Sequence, residues 1–187
     1  RSLNRGENLK RISPSISRTE QGTATSFSES PRNADVLWVG TDDGALWVTR
    51  DGGREWKNVS EKVGLPKLFH VASLEASRFA EGRAYVAFDG HRSDNDAPHI
   101  YVTEDFGETW KPLNSNLPAG STRVLREDIV NENLLYCGAE FGVWASVDRG
   151  SHWIHLKGQL PTVAVHEIAV HPTAGEIVAA THGRSVW

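Results

Sequence analysis

The chain has 187 residues, 39% of them hydrophobic, with seven Trp among 16 aromatics, enough for a packed core and too many for a disordered chain. Twenty Lys and Arg against 24 Asp and Glu leave a formal charge of −4, which excludes the basic footprint of a nucleic-acid binder. The lone Cys137 excludes an internal disulfide framework, and no apolar run reaches the ~20 residues of a membrane span.

The first 20 residues carry Arg1, Arg5, Lys10, Arg11 and Arg18 among Ser and Asn and read as a lead-in, with one apolar strand expected at residues 8–13. No signal-peptide pattern opens the chain, and with no methionine at all it is expected to be processed or an excerpt. Strands are then expected at residues 24–27, 36–39 and 45–48, with a turn at 41–44 and another strand opening at Trp56. The same order recurs at 71–74, 83–88, 100–102 and 109–111, and again at 124–129, 134–137, 143–145 and 152–154. A fourth series begins at 165–170 and 176–180, turns at 181–184, and reaches Trp187 where its third strand is due.

Between the third and fourth strand of each full series stands one phrase: Thr49-Arg50-Asp51-Gly52-Gly53-Arg54-Glu55-Trp56, Thr103-Glu104-Asp105-Phe106-Gly107-Glu108-Thr109-Trp110, and Ser146-Val147-Asp148-Arg149-Gly150-Ser151-His152-Trp153. The Asp recurs after 54 and then 43 residues, and a Leu-Pro pair (Leu65-Pro66, Leu117-Pro118, Leu160-Pro161) follows each Trp. Four strands per unit at this period is the signature of propeller blades. The units are expected at 21–66, 67–118 and 119–161, with an incomplete one at 162–187 and the lead-in at 1–20 supplying the last strand of a preceding blade. The fold class is therefore all-β: about four blades' worth of four-stranded antiparallel sheets, an excerpt of a propeller of seven or more blades. Pairing of residues 8–13 with 185–187 would instead mark a closed ring of four.

The phrase reads as turn chemistry. Asp51, Asp105 and Asp148 can accept hydrogen bonds from their own turns, with Thr49, Thr103 and Ser146 as local partners. Gly53, Gly107 and Gly150 supply positive φ, and Trp56, Trp110 and Trp153 pack between blades. All twelve are assigned to structure.

The phrase resembles the Asp-box, or BNR repeat, and the chain from about residue 20 resembles the WD40/YVTN/BNR-like propellers related to sortilin (VPS10) domains and to glycosyl hydrolase-like propellers. The segment Thr181-His182-Gly183-Arg184-Ser185-Val186-Trp187 resembles a phrase near their end. The resemblance implies a secreted, periplasmic or cell-surface protein and a fold, and it implies no reaction. Asp-boxes also occur in sialidases, whose arginine triad, Tyr nucleophile and acid Asp are not matched: Tyr85, Tyr101 and Tyr136 sit at packed strand positions, and no Arg-Ile-Pro precedes the first phrase.

Aligned units place Asp42, Asp89, Glu140 and His182 in one column at the turn after the second strand, on the face opposite the Asp-Gly hairpins. Asp42, Asp89 and Glu140 are the candidates for an acid and base of a glycoside hydrolase, although the leading reading is that each caps its own turn or is simply solvated. The second unit carries about ten extra residues, 90–99, on the same face, expected to be a disordered surface loop. Its His91, Arg92, Asp94, Asp96 and His99, with His182 and Arg184, are the binding-face candidates. No cofactor is expected; Asp94, Asn95 and Asp96 could offer oxygens to calcium but lack an EF-hand's ligand pattern, and no metal site is assigned. Cys137, in an apolar strand, is expected to be an inert thiol. The leading function is a non-catalytic scaffold whose loop face binds a protein, peptide or glycan. Glycoside hydrolysis and a structural role in a larger extracellular or membrane-associated assembly are the alternatives. Open blade edges imply cover by the rest of a propeller or by a neighbouring chain.

Overall fold

A computed structural model describes residues 1–2 and 4–187. Among these residues fourteen strands lie in chain order. The first sheet holds β1 (Ala24–Glu29), β2 (Leu37–Thr41), β3 (Leu46–Thr49) and β4 (Lys57–Asn58); the second holds β5 (His70–Ala76), β6 (Ala84–Asp89), β7 (His99–Thr103) and β8 (Lys111–Pro112). The third holds β9 (Thr122–Glu127), β10 (Leu135–Ala139), β11 (Gly142–Ser146) and β12 (Ile154–His155), and the last pairs β13 (Val165–Val170) with β14 (Ile177–Thr181). Every pairing is antiparallel between chain neighbours. The first strands β1, β5, β9 and β13 pack successively against one another, the arrangement of propeller blades seen along their inner edges. Among the described residues no helix is long and apolar enough to cross a membrane.

Burial on both faces explains why the second strands read as unbroken apolar runs: all five residues of β2 and the first five of β6 are buried. The core is divided into three layers between consecutive sheets. Trp38, Leu46, Val71 and Phe88 fill the first, Tyr85, Ile100, Leu125 and Trp153 the second, and Val124, Val143, Val165 and Ile168 the third. The fourth strands are only two residues long, which leaves a minimal outer edge for unwanted pairing.

Residues 8–13 form no strand, and among the described residues they do not pair with residues 185–187. Trp187 instead exchanges backbone hydrogen bonds with Ala179 (2.8 and 3.0 Å), and Val186 faces Ala180, so the last sheet begins a third strand on its own. The closed ring of four is not formed. The lead-in lies over the first sheet, held by Trp56 Nε1 to the Ile12 carbonyl (2.7 Å) and Trp47 Nε1 to the Ile16 carbonyl (2.8 Å). Its other backbone bonds are local or go to a side chain: the Lys10 N–H donates to the Arg1 carbonyl (3.0 Å), and the Arg18 and Thr19 N–H groups donate to Asp43 Oδ2 (2.7 and 2.8 Å).

The three Asp-Gly hairpins are built alike. Asp51 Oδ1 accepts from the Arg54 and Glu55 N–H groups (2.9 and 3.0 Å) and from the Thr49 hydroxyl (2.8 Å). Asp105 accepts from Thr109 N–H (2.9 Å), and Asp148 from His152 N–H (2.8 Å). Thr49, Thr103 and Ser146 each accept the N–H of the glycine four residues on, at 3.0, 2.9 and 2.8 Å. Gly53, Gly107 and Gly150 have φ of +96°, +84° and +84°, and the residue before each, Gly52, Phe106 or Arg149, is also left-handed. Hydrogen bonds to the charged form hold all three carboxyls below the ordinary Asp range, led by the Glu55 N–H at Asp51 and the His152 N–H at Asp148. At Asp105 the Thr109 bonds outweigh an opposing effect of burial. Replacing Thr103 by Val, which keeps the shape and removes the hydroxyl, should cost about 1–2 kcal/mol in denaturant unfolding, because the buried Gly107 N–H loses its acceptor.

Candidate functional site

One irregularity recurs in every sheet and decides where the site lies. In β1, β5, β9 and β13 the pairing skips one residue near the strand's start: Ala24 and Ser26 are paired but Thr25 is not, and the same holds for Ala72, Arg123 and His166. These are β-bulges, which re-aim a side chain and bend the strand. Ala72, Arg123 and His166 line a cavity of about 460 Å³ at the mouth between the inner strands, together with Asp89, Glu140 and His182 from the ends of the second strands. His70, His91 and Arg92 complete the polar wall, and no Trp, Tyr or Phe lines the cavity.

Arg123 is its central charge. Nη1 meets Asp89 Oδ2 and Nη2 meets Glu140 Oε2, both at 2.6 Å, with the Arg123 and Asp89 side chains 14% and 13% exposed. Burial pushes the Asp89 carboxyl up, but the His91 N–H (2.9 Å) and Arg123 outweigh it and hold Asp89 below the ordinary range. Arg92, His70, His166 and His182 have no side-chain hydrogen-bond or ion-pair partner among the described residues. Burial pushes His70 and His166 down, and Arg123 and His182 add to this at His166, whose ring centroid lies 5.3 Å from that of His182.

Of the expected column, Asp89, Glu140 and His182 do converge here. Asp42 does not: it accepts Thr23 N–H (2.7 Å) and Thr23 Oγ1 (2.9 Å), which holds it below the ordinary range. It lines a neighbouring cavity of about 270 Å³ that shares His70, Asp89 and Arg92 with the mouth. Among the loop candidates, His91 and Arg92 face the cavity, whereas His99 is buried at the start of β7, 7% exposed and stacked on Phe69 at 4.8 Å. The loop is not disordered as expected. A 3₁₀ turn at His91–Ser93, Asn95 Oδ1 against His99 Nε2 (2.8 Å), Gly120 N–H on the Asp96 carbonyl (2.6 Å) and Lys67 Nζ on the Ser93 carbonyl (2.7 Å) tie it down. Asp94 sits left-handed at the end of that turn, and Arg184 lies in the exposed 181–185 turn with its carbonyl on Trp187 Nε1 (2.7 Å). The Asn95 oxygen is occupied within the loop, and among the described residues no group of three His, Cys, Asp or Glu is arranged to hold a metal ion. Cys137 is fully buried, and burial pushes its thiol up to about 12.

Arg123, His70 and His166 escape a reading that aligns second-strand ends. Aligning the first strands would have put Arg123 and His166 in one column. Thr, Ala, Arg and His share no chemistry, however, so only the bulge shows that Ala72, Arg123 and His166 face the mouth.

No family model matches the chain. It is 36% identical over 91 residues to the oligoxyloglucan-reducing end-specific xyloglucanase of Emericella nidulans, spanning 45% of this chain and 10% of that protein. It is 26% identical over 140 residues to sortilin of Danio rerio, spanning 74% of this chain and 15% of sortilin. A GH74 enzyme from Niastella koreensis superposes on 84% of the chain with a TM-score of 0.64 at 13% identity, using 26% of its own length. YCF48 bound to D1 peptide superposes on 89% with a TM-score of 0.63 at 21% identity, using 51% of its length. These are β-propellers, and the likeness establishes that fold for this chain. The chain spans a small part of the curated relatives it matches.

Proposed function

We propose that this β-propeller segment is a binding module that holds an anionic stretch of a peptide or protein partner at the mouth between its inner strands, without catalysing a reaction. The observation that carries the proposal is the Arg123 clamp. A glycoside hydrolase needs one carboxyl kept protonated as acid, whereas Asp89 and Glu140 are both drawn onto one guanidinium and Asp89 is held in its ionised form. Arg92 and the three histidines around it are left to meet a ligand's negative charge. YCF48 bound to D1 peptide has the same fold, which supports a peptide as the occupant. A secreted, periplasmic or cell-surface location belongs to this proposal.

The test is fluorescence anisotropy with a labelled Asp/Glu-rich decapeptide and its Asn/Gln counterpart. The acidic peptide should bind saturably and the amide version at least tenfold more weakly. Ala72→Trp, which fills the mouth, should abolish binding, and Arg92→Gln should weaken it about tenfold, the effect of one charge-assisted contact. Affinity should rise as pH falls from 7.5 to 5.5. His70 and His166 are neutral at the upper pH, and a bound anion favours their protonated forms while the peptide's carboxylates stay ionised.

The 36% identity over 91 residues to a xyloglucanase favours hydrolysis as the second reading. Release of reducing sugar from xyloglucan oligosaccharides, lost in Glu140→Gln, would establish it and overturn the first.

A further inference from the structure

We propose that the mouth takes a peptide segment with charges of both signs: an Asp or Glu held at the Arg92 wall and, within a few residues of it, a Lys or Arg whose cation meets Glu140. The inference rests on the binding reading above and names the second half of what that site recognises.

The charge count carries it. Four charged side chains line the cavity, Asp89, Glu140, Arg92 and Arg123, and with its histidines neutral they sum to zero. The charges are unevenly spread, however. Arg123 holds both carboxylates at 2.6 Å, so this cluster keeps one negative charge in excess, while Arg92, unpartnered among the described residues, keeps one positive. His70 and His166 are pushed down, first by burial, and add no cation near neutral pH. A purely acidic segment would satisfy Arg92 and bring like charge to Glu140, whereas one with both signs complements both. An extended peptide places the side chains of residues i and i+2 on one side, about 6–7 Å apart, so both charges can enter one cavity.

The excess charge is open to a ligand at one atom. Asp89 gives Oδ2 to Arg123 and Oδ1 to the His91 N–H (2.9 Å), and its side chain is 13% exposed. Glu140 gives Arg123 only Oε2; among the described residues nothing donates to Oε1, and the side chain is 33% exposed. The two poles also stand on fixed supports. Glu140, in the turn between β10 and β11, is anchored by its N–H on the Ser121 carbonyl (3.0 Å). Arg92 lies in the loop after β6 that Asn95, Asp96 and Lys67 tie down. Little ordering of the protein is left for binding to cost, so a ligand that matches both poles keeps the gain from each.

The experiment measures fluorescence anisotropy at about pH 7.5, where the mouth's neutral histidines do not compensate Glu140. It uses N-acetylated acidic decapeptides that differ only in whether Lys or Gln stands two residues after a Glu. The Lys peptide should bind the wild-type chain about tenfold more tightly, the effect of one charge-assisted contact. In Glu140→Gln, which keeps an oxygen for Arg123, the gain from Lys should vanish, and the Gln peptide should bind several-fold more tightly than it does to wild type. Arg92→Gln should weaken both peptides alike. If neither peptide binds wild type, the binding reading itself falls. If the two bind equally, or if the gain from Lys survives in Glu140→Gln, this inference falls and the binding reading stands. A gain from a free N-terminus in place of the acetyl group, with none from Lys, overturns the side-chain assignment in favour of a chain end.

Discussion

Replacing Glu127 by Ala should lower the stability of the chain by about 3–5 kcal/mol, the cost of breaking a buried charged network from one side. Glu127 is 1% exposed at the end of β9, between the second and third sheets. Its carboxylate accepts from the Ser77 hydroxyl (2.8 and 3.0 Å), the Arg78 N–H (2.9 Å) and the Tyr85 hydroxyl (3.2 Å), with Arg83 Nη1 at 3.8 Å. Burial and then the Glu127 charge push the Tyr85 phenol well above its ordinary range, so it stays a donor at any working pH. Without Glu127, the Ser77 hydroxyl, the Arg78 N–H and the Tyr85 hydroxyl would lose their common acceptor. Arg83 would keep Glu104 (2.9 Å) and Glu132 (3.2 Å), which limits the loss. For a chain of this length the melting temperature should fall by roughly 10 °C or more. Glu127→Gln, which preserves one acceptor oxygen, should lie between wild type and Glu127→Ala. A change below about 1 kcal/mol in Glu127→Ala would show that the network adds nothing beyond its packing.

The second large effect depends on pH. Glu75 lies on β5 with 18% of its side chain exposed and Arg126 Nη1 at 3.5 Å. Burial raises its carboxyl to about 7 from an ordinary 4.5, against the pull of Arg126 and Arg78 and with the help of the Glu127 charge. The folded state thus favours the protonated form. Its contribution to stability is complete below pH 4.5, declines as pH rises and is lost above about 7. The rise corresponds to about 3 kcal/mol as an upper figure. Glu75→Gln removes the titration, while Arg126 keeps Glu167 (2.6 Å), Ser73 (3.1 Å) and the Ile168 carbonyl (3.2 Å). The variant should therefore gain about 2–3 kcal/mol on wild type between pH 5 and 8.5 in urea unfolding. Parallel pH profiles for the two proteins would refute a buried carboxyl at this position.

The two arginines of β9 illustrate what a sequence hides. Arg123 and Arg126 are three residues apart, a spacing that on a regular strand sends them to opposite faces. The bulge at Arg123 breaks that alternation, and the two serve charge clusters along the inner edge: Asp89 and Glu140 for the first, Glu75 and Glu167 for the second. Asp42 shows the converse. It occupies the same aligned position as Asp89, yet Thr23, just ahead of β1, lies within hydrogen-bond reach and holds it at the neighbouring strand. His99 looked like a loop residue because the insertion is polar, but Phe69 from the preceding connection stacks on it and draws it into β7.

By itself the sequence determined the blade repeat. The strand order and the three hairpins follow from local signals: a carboxylate with its own turn, a glycine at positive φ, apolar runs where both faces of a strand are covered. The tertiary structure alone decided the functional geometry. Three of the four bulges turn chemically unlike residues, Ala72, Arg123 and His166, toward one mouth, and Arg123 bridges Asp89 of the second sheet and Glu140 of its own, two of the three carboxylates offered as candidates for an acid and base. The physical reason is range. Turn and strand preferences are local, whereas the charge state and exposure of a side chain are set by whatever the neighbouring blade places against it.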